Sequence, residues 1–323
     1  MTRPHRLYVG TIGEGLWRST DGGESFKRTC DGMFVECHVR ALAVHPRDPR
    51  TLYLGSEQGL YRSTDGADSW TRVESPLNGL QIWSILLLPS DPDVIHVGTC
   101  PPHLFRSTDG GRTWSEPANT FVAECPRIIY NRVTTLAADA ADPDTVWCGV
   151  EIDSLRVSRD RGATWSVIGE GLSSRDIHAI AVVRSNGRTH HLASTNNDLN
   201  LSTDRGVTWQ PQKVGATLPW NYCRGLAVHA ENPSIVLMGN GDAPPGTVGA
   251  VARSTDGGRT WQTAEMPGRA NSTIWNIAVN PVDPNLIYAS SVSGEVYRSS
   301  DGGAAWSKLP REFGEIRALA WTE

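Results

Sequence analysis

Two sets of seven residues in this 323-residue chain hold the side chains best suited to chemistry. The first is Arg40, Trp83, Thr134, His178, Arg224, Trp275 and Arg317. The second, two residues before each of these, is His38, Gln81, Arg132, Asp176, Tyr222, Thr273 and Glu315. Arginine captures carboxylate or phosphate bidentately, and cations gathered in a concavity attract anions. The indoles of Trp83 and Trp275 offer flat faces to a ring or sugar. Asp176 and His178 lie two apart, so on a strand they project side by side. Tyr222 beside Arg224 is expected to have its phenol pKa lowered by the cation. The chemistry that follows is acid–base conversion of an anionic small molecule by a hydrolase, lyase or isomerase. His38, Asp176, His178, Tyr222 and Glu315 are its catalytic candidates. Arg40, Gln81, Trp83, Arg132, Arg224, Trp275 and Arg317 would bind the substrate. The plainer alternative is a wet structural channel in which arginines pair with acids between strands.

These positions recur because the whole chain repeats. A phrase of the form Ser-x-Asp-x-Gly-x-Thr-Trp begins at Ser19, Ser63, Ser107, Ser158, Ser202, Ser254 and Ser299, at intervals of 44, 44, 51, 44, 52 and 45 residues. Six of the 12 tryptophans close these phrases, which accounts for Trp outnumbering the 5 Phe. Asp folds its carboxylate onto nearby amides and Gly supplies positive φ, so each phrase reads as a hairpin turn. Around it stand four short strands. In one unit these are 39–44, 51–55, 59–63 and 69–73, with the Asp48-Pro49 turn between the first two. Comparable turns stand at Asp91-Pro92, Asp142-Pro143 and Asp283-Pro284, with Asn232-Pro233 a variant. The N-terminal Leu7-Tyr8-Val9-Gly10 matches a second strand, and 315–321 a first strand. Together they complete one blade and close a ring. The expected fold is all-β, a seven-bladed propeller of four-stranded antiparallel blades forming one domain over residues 1–323.

The phrase resembles the Asp-box (BNR) repeat of sialidases, sortilin-type receptors, xyloglucan-degrading hydrolases and photosystem II assembly factors. That resemblance implies that the box aspartates, Asp21 and Asp65 among them, are structural turns on the outer edge of a blade. It also places ligand and partner sites on the face where each innermost strand enters. Sialidases use an arginine triad with a Tyr–Glu pair on six blades. Seven boxes occur here, and the Arg-Ile-Pro lead-in is replaced by Arg127-Ile128-Ile129. Xyloglucan hydrolases work in a cleft between two propellers. Single-ring assembly factors bind protein through an arginine-rich surface, which makes a non-catalytic interaction scaffold the alternative function.

A net charge of −5 opposes non-specific nucleic-acid binding. No apolar run reaches membrane-helix length, and the first residues lack the core of a secretory signal. The expectation is a cytoplasmic monomer or small homo-oligomer, without membrane or nucleic-acid partners but open to a protein partner. No cofactor and no metal is expected, since Cys30, Cys37, Cys100, Cys125, Cys148 and Cys223 match no zinc spacing. A thiol nucleophile, or a metal held with His38 or His103, is the minor alternative to free thiols. His190-His191 reads as a solvated turn. The two long intervals mark insertions at 121–130 and 240–247, read as walls or a lid over the site.

Overall fold

The computed structural model describes residues 5–122, 124–125, 129–139, 141–185 and 187–323. Seven antiparallel sheets follow one another as the blades of a closed ring. Blade I takes its inner strand, Ile316–Thr322, from the C-terminal end of the chain and its others, Arg6–Thr11, Leu16–Ser19 and Lys27–Arg28, from the N-terminal end. Leu7 faces Trp321 and Val9 faces Leu319 in this pairing, which closes the ring through backbone hydrogen bonds. The inner strands of blades II to VII are Ala41–His45, Gln81–Leu88, Val133–Asp139, Ile177–Ser185, Tyr222–Val228 and Ile274–Ala278. Six blades have four strands. In blade III the outermost strand shrinks to one bridge, where Arg106 and Ser115 exchange N–H···O bonds of 2.8 Å. No helix among the described residues is long and apolar enough to cross a membrane.

The repeated phrase forms the expected turn. In blade III the Ser107 hydroxyl donates to Asp109 Oδ1 at 2.8 Å and accepts from the Gly111 amide at 2.9 Å. The Thr113 amide and hydroxyl donate to the two Asp109 carboxylate oxygens at 2.9 and 2.6 Å. Bonds to the charged form hold the carboxyl down, so Asp109, Asp160 and Asp204 all sit at about 2, with Thr113, Thr164 and Thr208 as the leading cause. The closing indole then donates back into its own turn: Trp114 Nε1 to Gly111 O and Trp306 Nε1 to Gly303 O, both at 3.1 Å. Trp70 differs, reaching across to Thr29 O of the preceding blade at 3.2 Å.

The core lies between the blades, where the faces of adjacent sheets meet. Tyr8, Leu16, Leu52, Leu54 and Trp70 join blades I and II, and Leu192, Val214, Cys223, Val236 and Met238 join V and VI. Five second strands carry a glycine where the next blade's inner strand enters. A Cβ on Gly149 would lie 2.6 Å from Ile177 Cγ2, and one on Gly55 would lie 2.5 Å from Ile82 Cγ2. Close approach rather than backbone conformation requires glycine there, since neither has positive φ. This double-sided covering also corrects the expectation for His190-His191. Both are buried in the second strand of blade V, Arg188–Thr195. His190 Nε2 donates to Gly257 O at 2.5 Å, and the His191 ring packs 4.5 Å from that of Trp147. Burial pushes His191 down to about 4, so it is neutral.

Candidate functional site

Six of the seven inner strands break their ladder where they enter the ring. The pairing skips a residue at Trp83, Thr134, His178 and Trp275, across Arg224-Gly225, and beside Arg317. A β-bulge leaves its extra residue unpaired and re-aims the side chain. Together with Arg40, just before its strand, these residues line a central cavity of ≈ 280 Å³. All seven residues of the first set are therefore brought together at the channel mouth. Beneath them Leu42, Ile85, Leu136, Leu226, Ile277 and Leu319 form an apolar collar.

The second set divides. Arg132, Asp176 and Tyr222 line a wider vestibule of ≈ 590 Å³ that shares Arg224, Trp275 and Arg317 with the channel. His38, Gln81, Thr273 and Glu315 line neither cavity. The His38 amide is held by Glu57 Oε2 at 2.7 Å, and its ring lies 3.5 Å from Arg40 Nη2. Glu315 is ion-paired to Arg317. Thr273 anchors the second insertion, its hydroxyl donating to Ala243 O at 2.6 Å and its amide to Pro245 O at 2.9 Å. That loop does wall the vestibule, through Asp242, Ala243, Pro244 and Pro245. The other insertion lines neither cavity through its described residues, and positions 123 and 126–128, Arg127 among them, lie outside those residues. Its base is pinned by buried Arg156, which donates to Asp153 Oδ2 at 2.5 Å and Thr120 O at 2.7 Å.

The electrostatics revise three roles. Burial raises the Tyr222 phenol above its ordinary value despite Arg224, so Tyr222 is not an activated phenolate. The indoles are occupied by cations: Arg40 and Arg132 stand 4.7 and 4.1 Å from the Trp83 ring centre, Arg224 and Arg317 3.3 and 4.5 Å from that of Trp275. They hold guanidiniums rather than stand free for a sugar. The thiols of Cys30, Cys37, Cys100, Cys148 and Cys223 are buried, and burial drives Cys37 and Cys148 up to about 12, away from nucleophilic use; the Cys125 side chain lies outside those described. Among the described residues no group of three His, Cys, Asp or Glu could hold a metal ion.

Asp176 and His178 do meet. His178 Nδ1 lies 2.6 Å from Cys223 O, an oxygen that only accepts, so Nδ1 carries the proton. The bare Nε2 then faces Asp176 Oδ1 at 3.4 Å, and that buried oxygen has no hydrogen-bond partner. Burial, then the Arg224 charge, pushes His178 below its ordinary pKa. Burial pushes Asp176 up, but His178, in the form that carries a proton on Nε2, together with Arg224 and Arg132 outweighs it and holds the carboxyl low. The pair thus has a vacant place for one proton beside the vestibule.

Glu151 is the acid that sequence reasoning missed. It follows the second strand of blade IV and lines the vestibule, where it takes Arg132 Nε on Oε2 and Nη2 on Oε1 at 2.9 Å. Its place in a two-strand turn on the entry face was the available signal. Desolvation leads in lowering the pKa of Arg40, Arg317 and Arg224, the last to about 10, and neighbouring guanidiniums add to it.

Seven box-closed blades around an arginine-lined channel define a seven-bladed β-propeller. Residues 14–151 match the Sortilin-Vps10 family (Sortilin, neurotensin receptor 3), and 252–263 match the BNR/Asp-box repeat. A probable oligoxyloglucan-reducing end-specific xyloglucanase of Neosartorya fischeri is 27% identical over 281 residues, covering 81% of this chain and 32% of that protein. Sortilin of Danio rerio is 32% identical over 85 residues, covering 26% of this chain and 10% of that protein. The chain thus spans 32% or less of the length of these relatives. Among solved structures, an ancestral GH74 enzyme is similar with a TM-score of 0.66 at 17% identity, covering 95% of this chain and 40% of that one. YCF48 from Cyanidioschyzon merolae has a TM-score of 0.59 at 14% identity, covering 86% of each chain. At such identity these likenesses concern the fold.

Proposed function

We propose that this propeller is a hydrolase of an anionic small molecule, held at the channel mouth. The observation that carries the anion is the meeting of four guanidiniums across two adjoining cavities, Arg40, Arg224 and Arg317 in the channel and Arg132 with the last two in the vestibule, Arg40 and Arg224 having no carboxylate ion pair among the described residues. Such a site gains by binding a carboxylate or phosphate, which relieves repulsion among desolvated cations. The Asp176–His178 pair supports the chemistry: the carboxylate can take a proton from a water molecule attacking the bound substrate, and the leaving oxygen recovers a proton from solvent. The xyloglucanase names among the relatives agree with hydrolysis as a class. Calorimetric titration with small carboxylates tests binding. Release of nitrophenol from 4-nitrophenyl glucuronide, against the uncharged glucoside, tests hydrolysis. Turnover that persists in Asp176→Asn would remove Asp176 as base, and absence of binding would remove the site.

A protein-binding scaffold is the second reading. Its support is coverage: YCF48 matches this ring over 86% of both chains, and a structure titled "YCF48 bound to D1 peptide" covers 98% of this chain. Capture of a peptide with no turnover of small anionic substrates would favour it.

A further inference from the structure

The four guanidiniums at the mouth are not equivalent. Arg132 uses both arms of its fork on Glu151, and Arg317 donates Nε to Glu315. Arg40 makes no ion pair among the described residues, although the charges of Glu315 and Glu57 bear on it: its hydrogen-bonding neighbour is His38 Nδ1 at 3.5 Å, and its buried Nε has no partner among them. Arg224 is only 9% exposed, and its guanidinium makes no hydrogen bond or ion pair among the described residues. Each open arginine shares a tryptophan with a paired one. Arg40, Trp83 and Arg132 come from blades II, III and IV; Arg224, Trp275 and Arg317 come from VI, VII and I. Both triplets run open arginine, tryptophan, paired arginine in the same sense around the ring. The two open guanidiniums therefore stand on different sides of one channel and line the same cavity of ≈ 280 Å³.

A single compact anion on one open arginine would leave the other desolvated cation uncompensated. A planar carboxylate matches the edge of a guanidinium, and the apolar collar of Leu42, Leu136 and Leu226 suits a short hydrocarbon between two such groups. We infer that the ligand class of this site is a short dicarboxylate bridging Arg40 and Arg224. The inference rests on the anion-binding reading above and narrows it.

The test is calorimetric titration of the full chain, in chloride-free buffer, with succinate, glutarate, adipate and suberate, and with the monocarboxylates of equal chain length. The expected result is one dicarboxylate length binding about tenfold or more tighter than its monocarboxylate. Arg40→Gln and Arg224→Gln should each abolish that preference while changing monocarboxylate affinity about twofold, because one open arginine remains. Circular dichroism verifies that each variant is folded. Should one variant fail to fold, the wild-type series and the other variant still decide. Equal affinity for both series in the wild-type protein would overturn the bridging ligand and leave anion binding standing. No binding by either series would overturn both.

Discussion

The guanidinium carbon of Arg224 lies 3.3 Å from the centre of the Trp275 ring, and that of Arg317 lies 4.5 Å from the same centre. The indole thus supports two cations from the blades on either side of its own. An aromatic ring is attracted to a cation most strongly where water is excluded, and Arg224 is buried and makes no ion pair among the described residues, with the charges of Asp176 and Glu151 acting on it without direct contact. Trp275 is then a positioning residue for Arg224 as much as a wall of the site.

Trp275→Leu should therefore lower affinity for a small carboxylate by about tenfold, a loss on the scale of a desolvated cation–π contact. Trp275→Phe, which keeps a ring face, should recover part of it. Titration calorimetry on the three proteins checks this. Equal affinities would show that the stack does not position Arg224.

Glu151→Gln should act in the opposite direction. Glu151 neutralises Arg132 at the vestibule wall, so removing its charge leaves one more open cation facing the ligand. Carboxylate affinity should rise about fivefold at low salt and the gain should shrink as salt is added. Thermal stability should fall, because Arg132 loses a partner in a part-buried setting. Binding that weakens instead would place Glu151 in contact with the ligand.

Stability should decline with acid in two stages. His191 sits at about 4 and His96 at about 3, against an ordinary 6.5, with burial the leading cause in both. Asp139, His190, Arg205 and Arg184 bear on His191, and Arg106 and Arg161 on His96. The unfolded chain protonates first, so stability is full above pH 6.5 and falls as pH drops toward 4. The box aspartates follow: Asp160 and Asp204 sit at about 2 against an ordinary 3.8, so their contribution is lost between those values. Denaturant titrations at a series of pH values measure both stages. His191→Phe should flatten the upper one, and an unchanged slope would count against it.

Gly149→Val should destabilise the ring without touching the mouth chemistry. The added Cβ would meet Ile177 Cγ2 and Thr135 Cγ2, each at 2.6 Å, between blades IV and V. Overpacking of this kind costs about 1–3 kcal/mol. Chemical denaturation should show the loss, and wild-type stability would mean that the blades separate freely there.

The blades were legible in the chain because a turn is a local object. Ser107, Asp109, Gly111, Thr113 and Trp114 satisfy one another within a few residues, so their spacing alone announces the hairpin. The seven residues Arg40, Trp83, Thr134, His178, Arg224, Trp275 and Arg317 line one cavity, because each inner strand meets the channel at the same depth. His190 and His191 were misread because Arg188–Thr195 is covered on both sides by neighbouring blades, which alternation within one strand does not reveal.

What the sequence determined by itself is the number of blades, the closure of Arg6–Thr11 on Ile316–Thr322, and the gathering of arginines at one mouth. The tertiary structure alone decided which arginines remain open. Glu151 lies 19 residues from Arg132, and Trp275 comes from a different blade than either arginine it supports. Tyr222 likewise had a cation two residues away, yet burial prevailed and raised its phenol. Charge at a single position is a property of the residue. Its neutralisation, stacking and desolvation depend on neighbours that only the closed ring brings within reach.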